Sequence, residues 1–314
     1  MKKQEIYVWK GIWKLIRELF LFIPRKIFIA GRTQEEALAI AEKLNDEGFL
    51  TTIDILGEHS KSEEEVETAL REYKQLVSEI RDRDLKSTIS IKLTHLGLEL
   101  GFGDCFNVVK DLVGYARRNN VVIEFDMEEF KYNHDTIEIF QSLSKPADNN
   151  RICLQANIFK SVDDLIMLHD KGFQIRLVKG AYEENSDVAL YHQFEINKNF
   201  CDLVSTVILQ TVSNKNSGIC RPQHAIGTRD QKIIDWAKNS MRFHHLDKHS
   251  IEFQLLYGYL ALGRELLQEG YPVRIYLPYG DDQTAFPYIL RRLKSVDTWK
   301  LFFDWLFNFS KTRK

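Results

Sequence analysis

The sequence predicts an α/β fold, a (β/α)8 barrel of the TIM type with an N-terminal helical extension. Eight short runs rich in β-branched and apolar residues are typical of buried strands, and stretches with helical periodicity lie between most of them. Strand and helix alternating eight times within about 250 residues is the layout of this barrel. A doubly wound open sheet is the alternative, because alternation by itself does not distinguish a closed sheet from an open one.

Each predicted strand is a short apolar run bounded by polar or turn-forming residues. In chain order the strands are TTIDIL from Thr51, TISIKL from Thr88, VVIEFD from Val121, RICLQA from Arg151, FQIRLVK from Phe173, the stretch around residues 219–226, IEFQLL from Ile251 and VRIYLP from Val273. Helical periodicity is clearest at residues 35–44, 62–80 and 163–169. For the second of these helices, Ser62 is the expected N-cap and Glu65 stands in the capping-box position.

Polar residues interrupt or end these strands, although a parallel strand covered on both faces should be apolar almost throughout. A charge in such a place must be paired or must face a site. The residues concerned are Asp54, Lys92, Asp126, Gln155, Arg176, Lys179, Gln254 and Tyr276. They occur in seven of the strands, which is more than isolated structural ion pairs would explain. Because catalytic residues of such barrels lie at the C-terminal ends of the strands, the pattern predicts one site at that mouth.

The last strand and the helix after it carry the most informative group of side chains. Tyr276 lies in the strand, and Tyr288, Arg291 and Arg292 follow on a helix that we expect to begin at Pro287. Positions i, i+3 and i+4 share one helix face, so the tyrosine and both guanidiniums point the same way. Arginine suits bidentate binding of a carboxylate. The segment therefore predicts a site for a small apolar molecule with one carboxylate, and the alternative is two surface arginines beside a core tyrosine.

The N-terminus differs from the rest of the chain, and we predict two parts: residues 1–27, a basic amphipathic helix, and residues 28–314, the catalytic barrel. The first 32 residues hold eight Lys or Arg against two Glu. Apolar residues, among them Trp9 and Trp13, recur every three or four positions in this segment. Such a helix could lie on the inner face of the cytoplasmic membrane. The alternative is a helix packed against the barrel itself.

Composition restricts the classes of function. A formal net charge of −2 over 314 residues gives no reason to expect a nucleic-acid partner. The four cysteines form no C-x-x-C pair, so we expect a reducing, cytoplasmic location and no structural zinc. No signal peptide is recognisable. His244, His245 and His249 have no acidic or sulfur ligand at a matching offset, and we predict no metal site there.

Seven motifs, in order, resemble those of the FAD-dependent proline dehydrogenases, over residues 28–293. They are TTIDILGE (51–58), ISIKLTHLGL (89–98), IEFDMEE (123–129), IRLVKGAY (175–182), EFQLLYG (252–258), VRIYLPYG (273–280) and YILRRL (288–293). The resemblance implies a flavin-binding (β/α)8 barrel with FAD held non-covalently at its C-terminal mouth. It also implies oxidation of L-proline to Δ1-pyrroline-5-carboxylate, with the electrons passed to a quinone. Oxidation of that product would fall to a separate pyrroline-5-carboxylate dehydrogenase.

The resemblance also implies roles for individual residues. Those that would hold the proline carboxylate are Arg291, Arg292 and Lys92, and those that would enclose its ring are Tyr276, Tyr288 and Leu256. Glu58 and Asp126 would pair with the arginines and so direct them. The residues that would contact the cofactor are Gln155, Arg176, Lys179, Gly180, Ala181, Thr228 and Arg229. Tyr182 would close over the site together with Ala181.

Three departures from the family pattern affect the cofactor side of the site. Arg229 stands where the family usually has a histidine, Asn157 where it has a tyrosine, and Ser295 where it has a glutamate. None of them is among the residues expected to hold the proline carboxylate, so proline remains the expected substrate. Two alternatives stay open. One is a dehydrogenase for hydroxyproline or another cyclic imino acid, against which the bulk of Tyr276 argues, and the other is a degenerate barrel without flavin, against which the cost of unpaired buried arginines argues.

Overall fold

The computed structural model describes residues 24–217 and 224–293. Within them, eight parallel strands close into a barrel in chain order, and the last strand pairs with the first. The closed sheet confirms the (β/α)8 barrel and excludes the open doubly wound sheet. Residues 1–23 of the predicted N-terminal helix and residues 219–223 of the predicted sixth strand lie outside the described residues.

The elements alternate regularly along the chain. The strands are β1 (Leu50–Ile55), β2 (Ser87–Ile91), β3 (Ile123–Phe125), β4 (Arg151–Gln155), β5 (Gln174–Val178), β6 (His224–Gly227), β7 (Ile251–Leu256) and β8 (Val273–Tyr279). The helices are α1 (Gln34–Asp46), α2 (Glu63–Asp82), α3 (Phe102–Arg118), α4 (Asn133–Leu143), α5 (Ser161–Asp170), α6 (Gln193–Asn216), α7 (Gln231–Phe243), α8 (Leu260–Gln268) and α9 (Asp282–Leu293). Residues 24–28 form a short helical segment before α1.

Alternation of side chains explains why these strands close around a polar interior. On β5, Ile175 and Leu177 belong to the apolar core, whereas Arg176 between them takes part in a buried network of ion pairs. Successive side chains of a strand point to opposite faces, so one face packs against the helices while the other fills the barrel. The observed strands agree with the predicted ones to within a few residues. β3 begins at Ile123, two residues later than predicted, and the N–H of Ile123 donates to the Asn150 side chain.

The start of α2 differs in detail from the predicted capping box. The Ser62 side chain accepts a hydrogen bond from the N–H of Glu65 at 3.3 Å, so the predicted N-cap is confirmed. The carboxylate of Glu65, however, accepts from the N–H of Lys61 at 2.7 Å rather than from that of Ser62. The reciprocal bond of a capping box is therefore made one residue earlier in the chain.

The predicted start of the last helix at Pro287 is wrong, because α9 begins at Asp282 and contains the proline. Asp281 caps the helix: its carboxylate accepts from the N–H of Gln283 at 2.9 Å and of Thr284 at 2.8 Å. An acidic N-cap is strongly preferred and outweighs the proline as a start signal. Pro287 removes one backbone donor from the helix interior, which the other interactions of α9 tolerate.

Charged side chains fill the half of the barrel interior that lies nearer the N-terminal ends of the strands. Their ion pairs are here called the lower network. The Glu252 carboxylate accepts from Arg274 Nε at 2.8 Å and from Arg151 Nη1 at 3.1 Å, and Arg151 Nη1 also donates to Glu124 at 2.8 Å. All four are at most 7% exposed. Burial opposes the ionisation of Glu252, but the charges of Arg151 and Arg274 outweigh it and lower its pKa to about 2. The ion pairs therefore compensate one another and replace the apolar layers found in other barrels.

Replacing Glu252 by Gln should leave Arg151 and Arg274 with one buried countercharge fewer. Breaking a buried ion pair from one side costs about 3–5 kcal/mol, and we expect the free energy of unfolding to fall by that amount in urea denaturation at pH 7. Because the pKa of Glu252 is lowered in the folded state, its contribution is present at neutral pH and is lost as the pH falls toward 2. The difference in the free energy of unfolding between wild type and Glu252→Gln should therefore become smaller at acid pH.

The exposed Glu265→Gln on α8 serves as the matched control and should change the free energy of unfolding by less than about 0.5 kcal/mol. Equal stability of wild type and Glu252→Gln at pH 7 would contradict a structural role for the network.

Candidate active site

A group of ionisable side chains forms the floor of the C-terminal mouth. Lys92 Nζ lies 2.6 Å from Asp54 Oδ1 and 3.5 Å from Asp126 Oδ2. Tyr276 Oη donates to Asp126 Oδ2 at 2.5 Å, and Arg176 Nη2 donates to the other oxygen of the same carboxylate. These residues come from strands on both sides of the barrel, and only its closure brings them together.

The two carboxylates of the floor are held in different electrostatic environments. Burial raises the pKa of Asp54, and the adjacent Lys92 offsets this only in part. Burial also acts on Asp126, but there the charges of Arg176 and Lys92 prevail and lower the pKa. One carboxylate oxygen of Asp54, Oδ2, is buried and has no hydrogen-bond partner among the described residues. The floor thus combines a firmly ionised Asp126 with an Asp54 that protonates more readily.

Arg291 and Arg292, the arginines predicted to bind a carboxylate and here called the clamp, lie with Tyr288 on one face of α9. Arg291 donates to both oxygens of Glu58, at 2.6 and 3.0 Å, and its guanidinium lies 5.2 Å from the centre of the Tyr182 ring. Arg292 lies 5.1 Å from the centre of the Tyr288 ring. The Tyr288 side chain is 4% exposed, and its hydroxyl has no hydrogen-bond partner among the described residues. The expected common direction of these three side chains is consistent with their contacts.

One expected contact of the clamp needs correction. Asp126 was expected to pair with the clamp arginines, but its carboxylate pairs with Arg176 and Lys92, while Glu58 alone of the expected pair contacts Arg291. The reason is the barrel register, which directs Asp126 inward toward β5. Arg291 is therefore a paired cation, so retention of the arginines does not by itself argue against a degenerate barrel.

The segment before α1 holds α9 against the barrel. Ile27 and Phe28 pack with Tyr288 and Ile289 in one small apolar cluster. Arg25 donates to Asp282 at 2.8 Å and to the carbonyl of residue 280 at 2.6 Å, at the start of α9. From Arg25 onward, the N-terminal segment therefore supports the helix that carries Arg291 and Arg292. The proposed boundary between residues 27 and 28 stays a prediction.

Leu256 ends β7 and is paired in register with Tyr276 on β8. Both side chains are half-buried at the mouth. Burial raises the pKa of Tyr288, and the charges of Arg292 and Asp54 act on it as well. Tyr288 therefore stands close to the floor as well as to the clamp, and the three residues expected to enclose a ring lie around the same mouth.

The residues expected to contact the cofactor lie in or directly after β4, β5 and β6, three neighbouring strands. The register pairs Gln155 with Val178 and Val178 with Gly227, so the residues after these positions share one rim. Lys179 pairs with Asp230 at 2.9 Å, and the hydroxyl of Thr228 accepts from the N–H of Asp230 at 3.2 Å. The expected cofactor residues on β5 and β6 are therefore linked through one aspartate.

Gly180 and two amide side chains, those of Asn157 and Gln155, shape the same rim. Gly180 has φ +107°, and a Cβ placed there would lie 2.0 Å from Asn157 Oδ1. A side chain at this position would be strained and would overlap its neighbour. Gln155 connects the rim by accepting from the N–H of Ala181 at 3.4 Å and donating to the carbonyl of Glu128 at 2.8 Å. Of the three departures from the family pattern, Asn157 packs under Gly180 and Arg229 lies 5.0 Å from the centre of the Tyr259 ring, while Ser295 lies outside the described residues.

Glu128 is a buried residue of the mouth that sequence reasoning missed. Its carboxylate accepts from the N–H of Thr94 at 3.0 Å and from the Thr94 hydroxyl. Burial raises the pKa of Glu128 to about 7. A signal was available, because Glu124, Asp126 and Glu128 alternate along one segment and such spacing places them on the same side of a strand.

A family model described as proline dehydrogenase matches residues 37–295. The chain belongs to the proline dehydrogenase family. It is 32% identical to proline dehydrogenase 1 of Bacillus subtilis (strain 168) over 267 residues, which are 85% of this chain and 84% of that protein. It is 30% identical to the proline dehydrogenase of Deinococcus radiodurans over 265 residues, 82% of each chain. These matches support a proline dehydrogenase, an oxidoreductase.

Solved structures agree with the fold. The chain resembles proline utilization A (PutA) from Bdellovibrio bacteriovorus, inactivated by N-propargylglycine, with a TM-score of 0.79 and 23% identity. The match covers 91% of this chain and 34% of that one, so the chain spans about a third of the length of the larger protein. At this identity the likeness supports the barrel fold of the family and no more.

The helices in residues 24–217 and 224–293 include none with the length and hydropathy needed to cross a bilayer.

Proposed function

We propose that this proline dehydrogenase oxidises L-proline to Δ1-pyrroline-5-carboxylate at the C-terminal mouth, with FAD as its cofactor and a quinone as the electron acceptor. The observation that carries the substrate assignment is the clamp on α9. Arg291 is directed by Glu58, and Arg292 stands beside a Tyr288 whose buried hydroxyl lacks a partner among the described residues. Cations next to aromatic walls suit a small ring with one carboxylate.

The reaction requires the substrate to be held by one end. The product has its double bond between the nitrogen and the ring carbon on the side away from the carboxylate, so a hydride leaves that carbon and a proton leaves the nitrogen. In the proposed site, Arg291, Arg292 and Lys92 bind the carboxylate, and Tyr276, Tyr288 and Leu256 enclose the ring. Fixing the ring in one orientation and excluding water is the protein's contribution to such a transfer.

The charges of the floor fit this assignment. Lys92 is held between Asp54 and Asp126, so its ammonium is compensated before a substrate binds. Despite its burial, these carboxylates raise the pKa of Lys92. Lys92 therefore remains a cation that can attract a carboxylate. The ionised Asp126 favours a position of the substrate nitrogen away from Arg291 and Arg292.

The residues of the β4–β6 rim suit a flavin nucleotide. Lys179 and Arg229 are cations, Thr228 has a hydroxyl and Gln155 an amide, all at the ends of adjacent strands. Gly180, with its left-handed backbone and no side chain, lets the chain turn closely above Asn157. These groups would hold the cofactor, which when bound supplies the acceptor for the hydride. Arg176, whose charge is compensated by Glu124 and Asp126, would be a further residue in contact with it.

Flavin binding can be tested by denaturing the purified protein and identifying released FAD by absorbance and chromatography. Thr228→Val should weaken FAD binding about ten-fold or more, because it removes a hydroxyl contact to a charged ligand. Thr206→Val is the matched control, since that hydroxyl donates to the carbonyl of residue 202 on the exposed side of α6. A colourless wild-type protein that takes up no added FAD would overturn the cofactor assignment.

We also propose that the N-terminal segment, through residues 1–24, docks the enzyme on the inner face of the cytoplasmic membrane, where a quinone is available. The support is the sequence of this segment, with its tryptophans and excess of basic residues. A separate pyrroline-5-carboxylate dehydrogenase would consume the product. The E. coli (strain K12) relative is a bifunctional protein, PutA, of which this chain matches 23% at 25% identity.

Deleting residues 1–24 should abolish binding to vesicles that contain anionic lipid, as measured by co-sedimentation. Binding of the full chain should decrease with added salt, because attraction to anionic lipid is screened. Vesicles of neutral lipid serve as the control and should bind the full chain weakly. Equal binding of the full and shortened chains would show that the segment has a different role.

Arg291→Met and Arg292→Met each retain most of the side-chain bulk but remove a charge. A charge-assisted contact to the substrate carboxylate contributes about 2–3 kcal/mol, so kcat/KM for proline should fall about thirty- to a hundred-fold. FAD content should be unchanged. Prolinamide, which lacks the negative charge, should be a poor substrate and should be affected far less by the substitutions.

Arg264→Met provides the control, because Arg264 is an exposed residue of α8 whose partner is the surface residue Glu47. It should leave proline turnover unchanged. Normal turnover by both clamp variants, or loss of fold and flavin together, would make the arginines structural.

A further inference from the structure

The loop of residues 57–60, here called the Glu58 loop, has an unusual backbone. His59, directly after Glu58, has φ +56°. A residue with a Cβ in this left-handed region costs about 1–2 kcal/mol relative to the ordinary conformation. Such a conformation persists only where surrounding contacts determine it. The carboxylate that pairs with Arg291 is therefore attached to a strained turn that needs support from outside the loop.

Thr94 supplies that support through two consecutive backbone amides. The N–H of His59 donates to Thr94 Oγ1 at 3.1 Å, and the N–H of Ser60 donates to the carbonyl of Thr94 at 3.1 Å. Ser60 Oγ adds a hydrogen bond to the carbonyl of His95 at 2.8 Å. Thr94 is fully buried. Hydrogen bonds from His59 and Ser60, the two residues after Glu58, therefore hold the Glu58 loop against the segment that follows β2.

Thr94 is itself held by Glu128 after β3. Both its N–H and its hydroxyl donate to the Glu128 carboxylate. A hydroxyl has one hydrogen, and because this hydrogen goes to Glu128, a lone pair of Thr94 Oγ1 is left to accept from His59. Glu128 therefore decides the orientation of the hydroxyl that receives the strained amide.

We infer that Thr94, oriented by Glu128, is a positioning residue that sets the direction of Glu58 and, through it, of Arg291. The inference rests on the proposed function, since it treats Arg291 as the residue that binds the substrate carboxylate. The route runs through contacts already given: Glu128 to Thr94, Thr94 to His59, and from the neighbouring Glu58 to Arg291. Neither Thr94 nor Glu128 needs to touch the substrate.

The test compares Thr94→Val, which removes the hydroxyl but keeps the shape, with Thr94→Ser, which keeps the hydroxyl. Thr94→Val should raise KM for proline about ten-fold, while kcat changes less than about three-fold, because the floor residues are untouched. Thr94→Ser should restore KM to within about two-fold of wild type. Thr136→Val is the matched control, because Thr136 is fully buried and its hydroxyl lacks a hydrogen-bond partner among the described residues.

Hydrogen exchange measures the loop without reference to turnover. The amides of His59 and Ser60 should exchange at least about ten-fold faster in Thr94→Val, but not in Thr94→Ser or Thr136→Val. If Thr94→Val does not fold, Glu128→Gln replaces it, since a glutamine nitrogen cannot accept from Thr94, and KM should again rise.

The outcomes separate this inference from the proposed function. Unchanged exchange at residues 59 and 60 overturns the inference whatever the activity. Faster exchange with an unchanged KM shows that Thr94 holds the loop without directing Arg291, which also overturns it. A wild-type holoenzyme that does not oxidise proline overturns the proposed function, and with it the assignment of Arg291 on which the inference rests.

Discussion

The guanidinium of Arg176 connects the two halves of the barrel interior, and the arrangement of the mouth depends on it. One of its nitrogens donates to Glu124, which belongs to the lower network, and another donates to Asp126, which belongs to the floor of the mouth. Its charge also lies 5.6 Å from the centre of the Tyr276 ring. A planar group with several fixed donors can make such a bridge, whereas a lysine ammonium could not hold both carboxylates in the same way.

The bridge makes the charges of the interior interdependent. Four carboxylates, those of Asp54, Glu124, Asp126 and Glu252, face four cations, those of Lys92, Arg151, Arg176 and Arg274. Each is buried, and removing any one of them would leave an opposite buried charge with less compensation. The ionisation state of the floor is therefore set by burial and by several neighbouring charges together rather than by one partner. In the proposed site, a substrate would therefore meet charges that are already compensated and oriented.

The clamp is supported differently from the floor. Arg291 and Arg292 are carried by α9 at the rim, and Arg291 takes its direction from Glu58 on a separate loop. The helix is braced by the apolar cluster with Ile27 and Phe28, and the loop by Thr94 and Glu128. The barrel strands and the residues directly after them therefore hold the ionisable floor, while a helix and a hydrogen-bonded loop hold the pair of arginines proposed to bind a carboxylate. A site divided in this way could change its substrate through the rim without disturbing the barrel.

Much of the barrel followed from short-range pattern. All eight strands were predictable because apolar residues recur within them, and polar residues near their ends indicated the mouth. The lower network was less visible, because Arg151, Glu252 and Arg274 lie at the starts of strands, where charges are commonly exposed. Their alternation with Gln254 and Tyr276 marks the inner face, but the sequence does not say which partner each residue finds. The start of α9 was mistaken because the cap at Asp281 was overlooked in favour of Pro287.

The sequence by itself determined the alternation of strands and helices, the inward positions of the polar side chains and the spacing that places Tyr288, Arg291 and Arg292 on one helix face. These are properties of neighbours in the chain, governed by the periods of the strand and the helix. Only the tertiary structure decided that the sheet is closed, and that of the two carboxylates expected at the clamp Glu58 pairs with Arg291 while Asp126 pairs with Arg176. Such pairings join residues 50 and 233 positions apart, and their geometry depends on barrel register and burial, which no local pattern encodes.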